Sequence, residues 1–433
     1  MQIPKWMCAV ACFAGTAAAQ PRPVATGGIV PADSLRLTRR QAIATALIAN
    51  PQVEIARQQT LQVRAQRVTG NAIPDPAFTT SYDSLPGPLR LGAANGQMAN
   101  IGLTIPFPDK FRLRNQIGLA NVRTSEAQFR QVQQQIAAQA GRAYDSVLVT
   151  RLHRSNLIES RTLAAEFLKR SQARFDAGAV ARLDVIKAQV EMAQADNDLI
   201  ASARDMANAE AALNRVLGRP LGLPIVPVDS LGATDALPDL DRVEQMALRS
   251  RPELTALEQQ QRAARANSHL TKEQAFLPDL FLGVTRDLMQ SAGAWYTAGI
   301  SLPLPVFFWQ HSNGDFAETR HRELELAATY LDARAAVGQD VRAAYATAEA
   351  SQRQVIFLRD RLLPSAREAY RVATLSYGLG GISALEVLDA RRTMVDAQRQ
   401  FADALAAANS ARSELDRAAG VPLSTIATGV PRE

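Results

Sequence analysis

Two carboxylates near the C-terminal end of the chain, Glu386 and Asp389, have the type and spacing that suit an interaction with a charged ligand. They fall in a predicted helix, where side chains three residues apart lie on one face. Such a pair can attract cations. It is equally typical of a helix face in water. Tyr377, which precedes the pair, is either a gate residue or a residue that packs at a helix end.

Residues that usually bind metals or carry out catalysis are sparse. No two histidines stand at ligand spacing such as i and i+4, and no Gly-rich phosphate loop or nucleophile elbow stands out. The residues considered are His153, His269, His311, His321, Cys8 and Cys12. The sequence therefore predicts no enzyme, no cofactor and no metal site.

The 433-residue chain is basic, with a formal net charge of +6 and a pI of about 9.6. Nucleic-acid binding requires clustered Lys and Arg. Here the arginines alternate with Asp and Glu along predicted helices and form no basic run. A solvated helical surface explains this pattern, so we expect no nucleic-acid partner.

Residues 1–19 have the features of a secretory signal peptide: Lys5, then a short apolar run, then Ala17-Ala18-Ala19 as a cleavage site. Cleavage there would remove both cysteines and exclude disulfides. The apolar run is too short for a lipoprotein signal, so lipidation of Cys12 is not expected. We expect residues 20–34, rich in Pro and Gly, to form a flexible arm.

The chain contains an internal duplication at a constant offset of 202 residues. Matched pairs include Gly178 with Gly380, Leu183 with Leu385, Leu213 with Leu415 and Pro220 with Pro422. A repeat of this length without gaps indicates a duplicated structural unit. The glycines predict turns at 178 and 380 and helix ends at 218 and 420.

A seven-residue apolar pattern fills the helix that follows each turn. Large residues recur from Val185 to Leu213 and from Val387 to Leu415, with a small residue three positions after most of them. This is a coiled-coil seam, and its small residues predict closely packed antiparallel helices.

Each copy is predicted to run helix, β-hairpin, long helix, turn, helix. Repeat 1 covers 35–218, with its first helix starting at Leu35 and broken at Asn50-Pro51, and with a hairpin at 77–107. Repeat 2 covers 238–420, with a hairpin at 280–305 and loop residues at 286–294. A linker at 219–237 joins them, and 421–433 form a tail. The fold class is mainly α with a small β portion. Pro364 is the expected irregularity of the second long helix.

The hairpin strands alternate between apolar and small or polar residues. Ile101, Leu103 and Ile105 lie on one side of the predicted strand and Gly102 and Thr104 on the other. This suits a hairpin packed on the helices, or a barrel strand with its apolar side toward lipid. No stretch after the signal peptide reaches the length of a membrane helix, so a membrane-spanning part would consist of strands.

The duplicated motifs resemble the TolC-type outer-membrane efflux factors. They are Phe-x-x-Gly-x5-Asp-Val-x2-Ala at 175–188 and its partner from Tyr377 to Ala390. The resemblance implies a homotrimer, in which four strands per chain form a 12-stranded barrel in outer-membrane lipid, continued by an α-helical barrel. It further implies a periplasmic adaptor and an inner-membrane pump of the resistance-nodulation-division type as partners.

Two short motifs resemble the branch that serves heavy-metal cation pumps: Arg-Pro-Glu-Leu at 251–254 and Ser-Leu-Pro-Leu-Pro at 301–305. The implied function is a passive exit duct for heavy-metal cations. A duct for drugs, organic compounds or proteins of type I secretion is the alternative within the fold. A periplasmic coiled-coil scaffold, whose hairpins pack on helices, is the alternative of another class.

The resemblance also assigns residues. The tip turns would contact the adaptor through Gly178, Arg182, Leu183, Gly380 and Leu385. Glu386 and Asp389 would line the closed periplasmic entrance as rings of carboxylates. Two departures from the family pattern are Asp184, where Ser or Thr is usual, and Ile382, where a gating arginine is frequent.

Overall fold

The computed structural model describes residues 35–83, 96–232, 236–289 and 293–423. The predicted signal peptide and flexible arm, and most of the predicted tail, lie outside these residues. The first copy consists of β1 (Leu35–Leu37), α1 (Arg39–Ala49), α2 (Pro51–Gly70), β2 (Ala77–Asp83), β3 (Gly96–Ile105), α3 (Pro108–Asp176) and α4 (Arg182–Val216). The second follows β4 (Ile225–Pro227) and consists of α5 (Leu240–Ser250), α6 (Pro252–Phe276), β5 (Leu280–Met289), β6 (Gly293–Ser301), α7 (Phe308–Phe357), α8 (Leu363–Gly378) and α9 (Ala384–Ala419).

The predicted break at Asn50-Pro51 is confirmed, and its cause is local. Pro51 is the first residue of α2, where its missing N–H costs nothing. The Asn50 side chain accepts a 2.8 Å hydrogen bond from the Gln52 N–H and donates one of 2.8 Å to the Val216 carbonyl. One side chain therefore caps the start of α2 and also binds the C-terminal end of α4.

The predicted helix start at Leu35 is wrong. Leu35–Leu37 form a strand that pairs in parallel with Ile225–Pro227, inside the predicted linker. Thr38 is the N-cap of α1 and forms a capping box with Gln41, so the residues before it are extended. The paired strand lies more than 180 residues away in sequence, which is why no local pattern indicated it.

The two hairpins join into one antiparallel sheet in the order β2-β3-β5-β6. β3 pairs with β5 from Gly96 to Ile105, opposite Met289 to Leu280. Of the residues expected in the loop at 286–294, residues 286–289 continue β5 and residues 293–294 begin β6. They are extended because β3 and β6 supply backbone partners for β5 along this length. The strands β3, β5 and β6 are therefore nine or ten residues long, the length that crosses a bilayer when tilted.

The helices pack along the predicted seam. The small seam residues Ala188, Ala195 and Ala209 are buried, and Leu213 and Leu415 are fully buried at matched positions. Leu213 lies in a core cluster of the first copy together with Tyr144 of α3. Leu415 lies in a core cluster of the second copy together with Val341 of α7. The duplication in sequence is thus a duplication of packing.

The irregularity expected at Pro364 is a π-helical turn at Leu358–Leu362, between α7 and α8. Proline has no N–H to bond the preceding turn, and a π-turn is a common way for a helix to absorb that loss.

Candidate functional site

The two tip turns have the same backbone geometry. Gly178 and Gly380 take the left-handed conformation, with φ of 71° and 84°. The Gly178 N–H donates to the Phe175 carbonyl at 2.8 Å, and the Gly380 N–H donates to the Tyr377 carbonyl at 3.0 Å. These are the C-terminal bonds of helices that end at a left-handed glycine. Leu183 and Leu385 follow the turns and are both exposed.

Glu386 and Asp389 lie on one exposed face of α9. Val387 and Met394, on the other side of the helix, are buried in the core of the tip. The Ser383 hydroxyl donates to Glu386 at 3.2 Å. Among the described residues, neither carboxylate forms a salt bridge.

Tyr377 is not on that exposed face. Its ring is 2% exposed and lies 5.4 Å from the Phe167 ring, centroid to centroid. Its hydroxyl lies 3.3 Å from the Ser171 hydroxyl. Tyr377 was interpreted either as a gate residue or as a residue that packs at a helix end. Its contacts within one chain are those of a packed residue that joins α8 to α3.

Arg174 contacts Tyr377 in a way that the sequence did not predict. Its guanidinium carbon lies 4.5 Å from the centroid of the Tyr377 ring, and its Nη1 donates to the Tyr377 carbonyl. Ile382 packs partly buried against the same core. The arginine that contacts Tyr377 therefore comes from α3, whereas position 382 is an isoleucine. The cation–π contact could not be predicted, because 203 residues separate the partners.

Arg391 and Glu191 were also not singled out. Arg391, on α9, is buried and donates to Glu191 on α4 and to Ser160 on α3. In the sequence, Arg391 is one charged residue in a helix with a seven-residue apolar pattern. Many other arginines of this chain have the same setting, so the sequence does not distinguish Arg391 from them.

One face of the sheet is mainly apolar, although it also carries Arg286, which lies directly opposite Ala99 and Tyr296. Ile101, which is 57% exposed, lies directly opposite Phe78 and Val284. Leu103 and Ile105 continue this face, opposite Leu282 and Leu280. Directly paired residues of an antiparallel sheet share a face. The three predicted lipid-facing residues are thus in line with one another on a broad apolar surface.

The other face carries mainly polar and small residues, together with Met98, Phe281 and Trp295. The Asn100 amide donates to the Thr285 hydroxyl at 2.7 Å, and Thr297 lies 3.5 Å from an Asp287 carboxylate oxygen. Gly102 leaves the space that the Phe281 ring occupies. A sheet apolar on one side and polar on the other suits a boundary between lipid and water.

No group of three or more potential metal ligands occurs among the described residues. His153 lies 2.9 Å from an Asp403 oxygen, which makes a pair and not a metal site. Within the same residues, no helix contains a segment long and apolar enough to cross a membrane.

Long antiparallel helices joined to a four-stranded sheet define a class of protein built from a duplicated helix–hairpin–helix unit. The chain belongs to the outer membrane efflux protein family, whose model matches residues 42–219 and 243–421. The resemblance drawn from the sequence is thereby confirmed. The function that this family defines is efflux through an outer-membrane channel.

Individual relatives agree with this assignment. The cobalt-zinc-cadmium resistance protein CzcC of Cupriavidus metallidurans is 24% identical over 396 residues, which are 89% of this chain and 90% of that protein. The outer-membrane channel OprN has a TM-score of 0.75 at 19% identity, covering 89% and 90% of the two chains. CusC, described as forming a transmembrane channel, also has a TM-score of 0.75, at 20% identity, covering 88% and 92%.

Proposed function

We propose that this chain is the outer-membrane exit duct of a tripartite efflux system and works as a homotrimer. It catalyses no reaction and supplies no energy. An inner-membrane pump of the resistance-nodulation-division type delivers the substrate, and a periplasmic adaptor joins pump and duct. Heavy-metal cations are the proposed substrates.

The observation that carries the proposal is the two-faced sheet with open edges. Within the described residues, β2 and β6 each pair on one side only. Open edges are not tolerated in lipid, and four strands are too few to close a barrel. Three copies would supply twelve strands, with β6 of one copy beside β2 of the next.

The helices support the same arrangement. α2 packs on α3, α3 on α6 and α6 on α7, so α2 and α7 are the outer helices below the sheet edges. Both carry exposed apolar residues, Ile55 and Val68 on α2 and Leu324 and Leu331 on α7. Exposed apolar residues on these two outer helices suit a head-to-tail ring of identical copies.

Cations are proposed because of the acidic face of α9 and the metal-resistance relative. In a trimer, Glu386 and Asp389 would each form a ring of carboxylates at the periplasmic entrance. Acidic rings select cations in channels. The exposed Leu183 and Leu385 at the turns would present apolar contacts to the adaptor.

Cysteine cross-linking tests the assembly, because residues 35–423 contain no cysteine. Ile55→Cys combined with Leu331→Cys should give dimer and trimer bands on oxidation in outer membranes. The two sites should lie at a similar distance from the sheet. Tyr330, next to Leu331, contacts Glu258 of α6, and α6 is the second-copy equivalent of α2, which carries Ile55. Thr60→Cys with Ser125→Cys is the matched control. Those hydroxyls are 3.2 Å apart within one chain and should yield monomer only.

A soluble periplasmic monomer in both variants would contradict the duct and favour the coiled-coil scaffold. The substrate needs a separate test. A deletion strain should lose resistance to zinc, cobalt and cadmium salts and regain it with the intact gene. Loss of drug resistance alone would favour the alternative duct for organic compounds.

A further inference from the structure

Four basic side chains form a row on α6, the helix that leads into strand β5. Their spacing of three, four and three residues puts them on one face of the helix, and all are exposed: Arg262, Arg265, His269 and Lys272. The chain has no acidic residue between Glu258 and Glu273. No two of the four bases are adjacent in sequence, so only the helix joins them into this basic row.

Neither neighbouring helix covers the basic row. α6 packs against α3 through Leu270 and against α7 through Gln261, whose amide donates to the Leu326 carbonyl at 3.0 Å. The row lies between these two lines of contact. Among the described residues, none of its members forms a salt bridge, and Arg262 reaches the Gln259 amide oxygen only at 3.5 Å. Because α3 and α7 occupy the two sides of α6, a second copy that docks at the sheet edges would leave the row open.

The duplicated fold does not require these unpaired charges. α2 is the first-copy equivalent of α6, and all its arginines have partners. Arg64 donates to Glu126 at 2.7 Å and Arg67 donates to Asn115 at 2.9 Å, while Arg57 forms an ion pair with a glutamate one turn away. Packing of the helix therefore does not account for the basic row on α6.

The basic row ends at an apolar zone where the helices meet the sheet. Phe276, four residues after Lys272, continues the row, is 51% exposed and stacks on Phe316 of α7 at 6.1 Å between ring centroids. Leu280, four residues further, lies on the apolar face of the sheet. Other connections between helices and strands also carry exposed apolar residues: Ile73, Phe107, Leu302, Leu304, Val306 and Phe307. An apolar zone followed by Lys and Arg is typical of a boundary between lipid and water.

The basic row lies within reach of lipid headgroups at that boundary. At a helical rise of about 1.5 Å per residue, Lys272 is about 6 Å from Phe276 and Arg265 about 16 Å. The headgroup layer is about 5–8 Å deep on each side of a bilayer. Charges beyond it still act over a Debye length of about 8 Å. Lys272 therefore lies in the headgroup layer, and Arg265 lies close enough to be attracted by its charges.

We propose that the basic row binds the headgroups of anionic phospholipids in the periplasmic leaflet of the outer membrane. This inference rests on the proposed duct, because the duct places the sheet in that membrane. The lipid phosphates complement the positive charge of a helix face that has no acidic partner. Each Lys or Arg near an anionic surface strengthens binding about fivefold, the equivalent of about 1 kcal/mol.

Native mass spectrometry of the full-length protein in mild detergent tests the inference, because one spectrum reports both the bound lipids and the number of chains. Phosphatidylglycerol and phosphatidylethanolamine are titrated separately. Arg265→Gln with Lys272→Gln should weaken phosphatidylglycerol binding about 25-fold and leave phosphatidylethanolamine binding unchanged. Lys272→Arg keeps the charge and should bind like wild type. Arg367→Gln is the matched control, since Arg367 is also exposed but lies on α8, the helix that ends at the tip.

The same spectra separate the lipid surface from the duct. A trimer that binds both lipids equally, or a double variant that keeps its affinity for phosphatidylglycerol, would overturn the lipid surface and leave the duct intact. A wild-type mass of one chain would overturn the duct and the inference together. Phosphatidylglycerol binding by wild type should also weaken as salt is added, and binding that is insensitive to salt would contradict a role for the basic row.

Discussion

The guanidinium of Arg174 lies over the ring of Tyr377, with 4.5 Å between its carbon and the ring centroid. Arg174 lies in the last turn of α3, the long helix of the first copy, and Tyr377 lies in the last turn of α8, in the second copy. Phe167 and Ser171, also on α3, contact the same tyrosine. One aromatic side chain thus joins the two tip hairpins within a single chain.

Truncating Tyr377 should destabilise this end of the molecule. Tyr377→Ala removes a buried ring and should lower the free energy of unfolding by about 3–5 kcal/mol. Tyr377→Phe loses only the contact with Ser171 and should cost about 1 kcal/mol. Thermal unfolding followed by circular dichroism measures both changes. Equal losses in the two variants would mean that the hydroxyl, and not the ring, is what stabilises the tip.

Gly218 should tolerate a side chain less well than Gly178. Both take the left-handed conformation, which costs about 1–2 kcal/mol for an L-residue with a Cβ. At Gly218 a Cβ would also overlap the Ala49 carbonyl oxygen, whereas at Gly178 nothing lies within 4 Å. Gly218→Ala should therefore lower the thermal midpoint clearly more than Gly178→Ala. A similar decrease in both would show that only backbone conformation matters.

A charge on the apolar face of the sheet should prevent membrane assembly. Ile101→Lys would place an ammonium group in lipid, at a cost of about 2–4 kcal/mol near the middle of the bilayer. Thr297→Lys is the control, since Thr297 lies on the opposite face beside Asp287. The amount of heat-modifiable protein in outer-membrane fractions measures assembly. Normal assembly of Ile101→Lys would contradict a lipid-facing position.

Asp416 should make stability depend on pH. Burial raises the pKa of this carboxyl above its ordinary value of 3.8, although it accepts a 2.7 Å hydrogen bond from the Leu423 N–H. The folded chain then binds the proton more tightly than the unfolded chain. The contribution of Asp416 to stability therefore rises as the pH falls from its raised pKa toward 3.8.

Asp416→Asn should stabilise the protein at neutral pH, because the amide can still accept the bond from Leu423 and carries no charge that partial burial penalises. The gain in stability from Asp416→Asn should shrink as the pH falls from the raised pKa of Asp416 toward 3.8. Thermal midpoints between pH 4 and pH 8 provide the measurement, with the exposed Asp396→Asn as control. A gain that is constant with pH would exclude titration of Asp416 as its source.

Several elements could be predicted from sequence because their causes are local. Pro51 and Asn50 end one helix and begin the next within three residues, and Gly178 and Gly380 permit turns that other residues resist. The seam from Val185 to Leu213 repeats every seven residues, which determines the buried face of a helix without knowledge of its partner.

Contacts between distant segments could not be predicted in this way. Leu35–Leu37 become a strand only because Ile225–Pro227 lie beside them, and β5 extends to Met289 only because β3 pairs with it. Tyr377 and Arg391 resemble other residues of their helices in sequence. Their roles depend on Arg174, Ser160 and Glu191, which the tertiary fold brings within bonding distance. The sequence by itself determined the helices, the turns and the duplication, because their physical causes lie within a few residues. Only the tertiary structure decided which side chains are buried together, since burial and pairing depend on residues that are far apart in the chain.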